Sequence, residues 1–136
     1  MTGPLQDLRV LDCTLALAGP YASLILADLG ADVIKIENPH NPDMRLIASE
    51  AVAKKSSDPD KSDAEDLGPY KGENGKFLIT NRNKRGIAID LKSDAGKEVF
   101  FRLLDTADIL VQNFRPGVME RLGLGWEDLK KKNPGL

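Results

Sequence analysis

Two segments of this chain share one pattern: a short apolar run, a helix-length stretch, then a second short apolar run. The runs are residues 8–11 and 33–36 in the first segment, and residues 87–91 and 109–111 in the second. Runs of this length bounded by turn residues read as strands. Their repetition constrains the chain more than any other feature. A helical crossover brings the chain back to the same end of the sheet, so the strands it joins lie parallel. The expected class is α/β with a mainly parallel sheet.

Residues 21–29 read as the first helix. Leu24, Ile25, Leu26, Ala27 and Leu29 leave it little polar surface, so it is expected to be buried. Gly30 stands where a left-handed terminator belongs. In the second segment Ser93 is the expected N-cap, with Asp94 in the first turn, where the helix dipole favours an anion. Val99, Phe100, Leu103 and Leu104 form a stripe at helical spacing. Pro116 is expected to open a short helix that Gly123 closes, and residues 127–132 to form a last one.

From residue 40 to residue 76 the pattern dissolves into Ser, Pro, Gly and mixed charge. Residues 48–55 suit a helical turn or two; the rest is expected to be a polar, mobile excursion. The chain stops where an alternating fold would add a strand. The sheet is therefore expected to be incomplete at the C-terminus, with an open edge and the stripe from Val99 to Leu104 uncovered.

At 136 residues the chain suits one domain with a real core. A formal charge of −2 argues against a nucleic-acid partner. No apolar run approaches the roughly 18 residues of a membrane span, and residues 1–7 lack the pattern of a signal peptide. The single cysteine, Cys13, forms no internal disulfide. A cytoplasmic protein without a membrane partner is expected. One histidine and one cysteine do not make a typical zinc site. Phosphate-loop and nucleophile-elbow signatures are absent, and the glycines at 123 and 125 do not follow a strand.

Arg82, Lys84 and Arg85 crowd the entrance of the third strand in an otherwise acidic chain. Such a cluster points to an anion, with phosphate the obvious candidate. Ligands of open α/β sheets bind beyond the carboxyl ends of the strands. Those ends are residues 12–18, 37–38, 90–93 and 113–117. The last combines an amide, an aromatic face, a guanidinium and a helix start, suiting adenine on Phe114 and phosphate on Arg115. By residue type alone, Asp12 and Asp28 cap or turn the chain, Cys13 is a small buried residue, His40 is exposed and Trp126 packs the last helix. Phe114 suits core or stacking equally, and Arg121 suits a surface cation or a ligand contact.

Four blocks carry a family resemblance. They are Leu-Arg-Val-Leu-Asp at 8–12 with Leu-Ala-Gly-Pro-Tyr-Ala at 17–22, and Leu-Ala-Asp-Leu-Gly-Ala-Asp-Val-Ile-Lys-Ile-Glu at 26–37. Asn-Arg-Asn-Lys-Arg at 81–85 follows, running on to Ile-Asp-Leu-Lys at 89–92. The last is Asn-Phe-Arg-Pro-Gly-Val-Met-Glu-Arg-Leu-Gly at 113–123. In this order they resemble the N-terminal part of the class III coenzyme A transferases, the CaiB/BaiF or formyl-CoA transferase group. The resemblance implies that residues 1–136 are part of a large, Rossmann-like, doubly wound domain that binds coenzyme A. It places contacts at Leu17 and Ala18, at Asn38, at Ile89, Asp90, Leu91 and Lys92, at Asn113, Phe114 and Arg115, and at Arg121. Beside them Arg82, Lys84 and Arg85 are expected to support the site, shaping and charging the approach rather than touching the ligand. It also implies an interlocked homodimer that moves coenzyme A between an acyl-CoA and a small carboxylic acid. The aspartyl nucleophile, which forms anhydride and thioester intermediates, is expected beyond residue 136. A 2-methylacyl-CoA racemase fragment and a non-catalytic acyl-CoA-binding module are the alternatives.

Overall fold

The structure, a computed structural model, describes residues 3–40, 45 and 75–136. Nearly all of the expected polar excursion, including the turn at 48–55, lies outside the described residues. β1 spans Arg9–Asp12, α1 Ala18–Asp28 and β2 Asp32–Glu37. Then come α2 (Gly75–Asn81), β3 (Arg85–Ala88), α3 (Asp94–Leu104), β4 (Ile109–Val111), α4 (Val118–Arg121) and α5 (Trp126–Lys132). The strands lie in the order β3-β2-β1-β4, every pairing parallel.

Successive residues of a strand face opposite sides of the sheet. Val10 pairs in register with Val33, and both pack with Ala27 and Ala31 on the α1 side. Leu11 pairs with Ile34, and both pack with Ile36, Phe100, Leu104 and Leu129 on the side of α3 and α5. Helices cover both faces, which makes the sheet doubly wound and explains why β1 and β2 read as almost unbroken apolar runs. Gly30 closes α1 at φ +101, with Ala31 N–H donating to the Leu26 carbonyl at 3.0 Å and Gly30 N–H to that of Ala27. Ser93 caps α3, its hydroxyl accepting from Gly96 N–H at 3.0 Å.

Several expectations change. Phe100 and Leu104 are fully buried, so the stripe expected to lie uncovered is core; Val99 alone of its four residues is classed as exposed. Burial of each of these two side chains is worth about 1.5–3 kcal/mol. The uncovered apolar face belongs to α1 instead. Leu17, Tyr21, Ile25 and Leu29, spaced four apart, are all exposed, although Leu24 and Ala27 are buried as expected. Pro116 precedes α4 rather than opening it, because Gly117 at φ +79 is the N-cap. Trp126 is half-exposed, with the Lys130 ammonium 5.9 Å from its ring centre. α2 was not anticipated: at seven residues it is too short to show a period. It is anchored by buried Phe77, under the Arg45 guanidinium 4.0 Å from the ring centre.

Candidate ligand-binding site

The chain runs outward from β1 to β2 and β3, then returns to place β4 on the other side of β1. The loops leaving β1 and β4 therefore diverge, and the parallel strands end along one edge. Such a reversal opens a crevice where open α/β sheets take their ligands. One lip is residues 13–17, leading into α1; the other is residues 112–117, leading into α4. The lips are fastened together. The Asn113 side chain accepts from Leu15 N–H at 2.8 Å and donates to the Leu15 carbonyl at 2.9 Å. On the first lip Ala16 sits at φ +64, a left-handed conformation unusual for a residue with a Cβ.

The residues singled out in the sequence all lie along this edge. Leu17 is the N-cap of α1 and Ala18 its first residue, both exposed. Asn38 follows β2, its side chain accepting from His40 N–H. Ile89 is buried and its N–H donates to the Glu37 carbonyl, so it extends the β2–β3 pairing. Asp90 accepts from Lys92 N–H and stands 3.5 Å from His40 Nε2. Leu91 and Phe114 are partly buried and pack against the core. Lys92, Arg115 and Arg121 project into solvent.

The basic cluster is paired within the protein. Arg82 bonds Asp28 at 2.6 Å, Arg85 bonds Asp32 at 2.7 Å, and Lys84 bonds Asp12 at 2.9 Å. Each cation of the cluster is paired with an aspartate of α1, β1 or β2. The cluster staples the returning chain to the first segment. Arg9 also bonds Asp32, and Arg45 bonds Glu37. Among the described residues Lys92, Arg115 and Arg121 have no carboxylate partner. They are the cations left at the strand ends. Arg121 folds back over the turn before α4: a Cβ on Gly117 would come within 2.9 Å of its Nη1. Gly117 thus supplies both the left-handed turn and the room for the guanidinium.

The Lys84–Asp12 pair was missed by sequence reading. Asp12 and Lys35 are register partners on the α1 side of the sheet. Lys84 reaches in from the chain between α2 and β3. Its ammonium, on a side chain 1% exposed, is within 2.9 Å of Asp12 Oδ2, Ser23 Oγ and Asn81 Oδ1, and 2.8 Å from the Pro20 carbonyl. Asp12 also accepts from Ser23 at 2.6 Å and from the Thr14 N–H and hydroxyl. Lys35 donates to the Thr14 carbonyl at 2.7 Å. Burial pushes the Asp12 carboxyl up, but the Lys35 charge and the bonds from Lys84, Ser23 and Thr14 outweigh it and hold Asp12 below its ordinary value. Burial lowers Lys84, more than Asp12 raises it. Burial, with Asp12 beside it, lifts the Cys13 thiol to about 12, which makes it inert. The sequence did hold a signal: a lysine inside a strand buried on both faces must find a buried partner.

Two surface grooves, of about 540 and 350 Å³, lie between α3 and α5 and along the outer side of β4. The first is walled by Glu98 and Asp128 and by Arg102, Lys131 and Lys132, charges of both signs. The described residues hold no cluster of metal-ligating side chains, and no helix among them is long and apolar enough to cross a membrane.

The fold is thus that of a doubly wound, parallel α/β protein whose strand-end edge carries three cations without a carboxylate partner among the described residues. The family follows from comparison with known proteins. Residues 5–136 match the model of CoA-transferase family III, and the chain belongs to that family. It is 42% identical over 134 residues to the succinyl-CoA:mesaconate CoA-transferase of Haloarcula hispanica, covering 98% of this chain and 30% of that protein. It is 39% identical over 136 residues to the formyl-CoA:oxalate CoA-transferase of Rhodopseudomonas palustris, covering 28% of that protein. Among solved structures, Rv3272 from Mycobacterium tuberculosis superposes with a TM-score of 0.75 at 38% identity, over 99% of this chain and 32% of that one. A CaiB/BaiF family protein from Brucella suis gives 0.76 at 34% identity, over 98% and 32%. The chain thus spans about a third or less of the length of these relatives.

Proposed function

We propose that this chain forms the coenzyme A-binding edge of a transferase that moves coenzyme A between an acyl-CoA and a carboxylic acid. The observation that carries the reading is the placement of the unpaired cations. Lys92 follows β3, while Arg115 and Arg121 follow β4, at opposite ends of the strand order. Three strand spacings separate them, roughly 14 Å. One phosphate cannot bridge that gap. Coenzyme A carries two separate anions, a pyrophosphate and a 3′-phosphate on one ribose, which side chains as long as lysine and arginine can reach from the two sides, while its uncharged pantetheine arm has room to run along the edge.

In this reading the exposed first turn of α1, at Leu17 and Ala18, and residues 89–92 serve through backbone groups. Asn38 flanks the middle of the edge. Asn113 acts indirectly, by joining the lips, and Phe114 seats Arg115. The acyl donor and the carboxylate acceptor are of the kinds that the names of the relatives state. The nucleophilic aspartate is assigned to sequence beyond residue 136. The whole enzyme is proposed to be a cytoplasmic homodimer, and the exposed stripe on α1 suits a face that further protein covers.

Calorimetric titration of the chain with coenzyme A tests the binding half. Binding is expected, and Arg115→Ala and Arg121→Ala should each weaken it about tenfold, as loss of a charge-assisted bond does. No heat at about 1 mM ligand, a binding energy of about −4 kcal/mol, would sink the reading.

A further inference from the structure

We propose that Lys84 is a positioning residue for the ligand. With Asp12, Ser23 and Asn81 it forms a buried peg that holds the residue 14–18 loop and the first turn of α1 in their binding shape. The inference rests on the coenzyme A reading of the edge and deepens it.

The loop does not hold its shape through its own sequence. Ala16 adopts φ +64 without being glycine, Leu17 caps α1 without a side-chain hydrogen bond, and Leu15 and Leu17 are apolar yet exposed. Conformations of this kind persist only where the surroundings over-determine them. Ties to the surrounding elements do so here. Asp12 fixes Thr14 through both its N–H and its hydroxyl. Lys35 takes the Thr14 carbonyl, and Asn113 takes both backbone groups of Leu15. Lys84 then grips the other end of the loop, taking the Pro20 carbonyl and the Ser23 hydroxyl in the first turns of α1.

Lys84 is central to this set because its ammonium reaches four acceptors with three N–H bonds. It joins β1 through Asp12, α1 through Pro20 and Ser23, and α2 through Asn81. A shape fixed before binding spares the ligand the cost of ordering it. The peg also depends on where the chain returns from its long polar excursion. Anything that shifts Asn81 or Lys84 reaches the α1 lip directly, although α2 touches no ligand in this reading.

The test separates affinity from stability. Lys84→Met keeps the unbranched side chain, one atom shorter, and removes the charge. Coenzyme A affinity is measured on the folded protein, with urea unfolding in parallel. A purely structural role would lower the unfolding midpoint and leave the dissociation constant unchanged. The positioning role predicts a dissociation constant at least tenfold higher, about 1.4 kcal/mol. Ser23→Ala, a milder change, carries the test where Lys84→Met does not fold, and should weaken binding several-fold. Ala16→Gly approaches from the other side. It relieves the left-handed strain, so the midpoint should hold or rise, while the loosened loop binds more weakly. Folded Lys84→Met or Ser23→Ala protein that binds coenzyme A within twofold of wild type overturns the proposal, and so does an Ala16→Gly variant with unchanged affinity. Failure of the wild-type chain to bind coenzyme A would instead overturn the functional reading beneath it.

Discussion

Replacing Asp12 by asparagine should be among the most damaging isosteric changes available in this chain. The substitution keeps the shape of the side chain and removes its charge. Lys84, on a side chain 1% exposed, would then have no buried counter-charge and would lie near a second buried lysine, Lys35. Breaking a buried pair by removing one partner costs about 3–5 kcal/mol. Lys84→Met should cost less, about 1–3 kcal/mol, because Asp12 keeps Lys35 and the bonds from Ser23 and Thr14. The double variant removes both charges of the pair and leaves Lys35 on the Thr14 carbonyl, so it should cost less than the sum of the two, with a coupling of about 1–3 kcal/mol. Urea unfolding followed by far-ultraviolet circular dichroism measures all three. At a slope of about 2 kcal/mol per M, Asp12→Asn should lower the midpoint by about 2 M. Additive single variants, or an Asp12→Asn protein within about 0.5 M of wild type, would refute the reasoning, since 1 kcal/mol or less is what an exposed pair contributes.

Arg82→Ala and Arg85→Ala should each cost less than about 1 kcal/mol, because both guanidinium groups are largely exposed and their pairs are screened; a loss near that of Asp12→Asn would show that exposure had been misjudged. Acid should destabilise the fold in a defined window. Burial raises the Asp32 carboxyl, but the bonds and charges of Arg85 and Arg9 outweigh it, so Asp32, like Asp12, titrates below its ordinary 3.8. The stability these groups contribute is present above that value and lost as pH falls through their native values; a urea midpoint unchanged from pH 6 to about pH 2 would contradict this. Ile25→Lys, on the exposed stripe of α1, should reduce dye binding and self-association with a stability change within about 0.5 kcal/mol. Unchanged association on a sizing column would place the sticky surface elsewhere.

What the sequence revealed and what it concealed divide along physical lines. All four strands were visible as short apolar runs, most clearly β1 and β2, which are buried on both faces, whereas β3 lies at Arg85–Ala88, earlier than the expected 87–91; the ends of α1 and α3 were visible because Gly30 and Ser93 obey local rules. The order β3-β2-β1-β4 follows from no local rule. It gathers the strand-end residues named from the sequence onto one edge. The roles of the charged residues were the hardest to read. Arg82, Lys84 and Arg85 looked like a surface for phosphate because their partners, Asp28, Asp12 and Asp32, lie more than fifty positions away. The same distance hid the use of the Asn113 amide, which a single sequence cannot show bonding to Leu15.

That separation also governs how the binding edge comes into being. Asn113 and Leu15 are 98 positions apart. Closing a loop of that length costs about 4 kcal/mol of chain entropy by the logarithmic rule, before any contact is made. β1 meets β4 only across that same interval. The crevice therefore cannot assemble early from a neighbouring hairpin or helix pair. It forms when the far segment docks, late in collapse, and a ligand that grips both lips would bind the completed fold alone. Such a ligand should act as a folding sensor, raising the unfolding midpoint of the whole chain rather than ordering one loop.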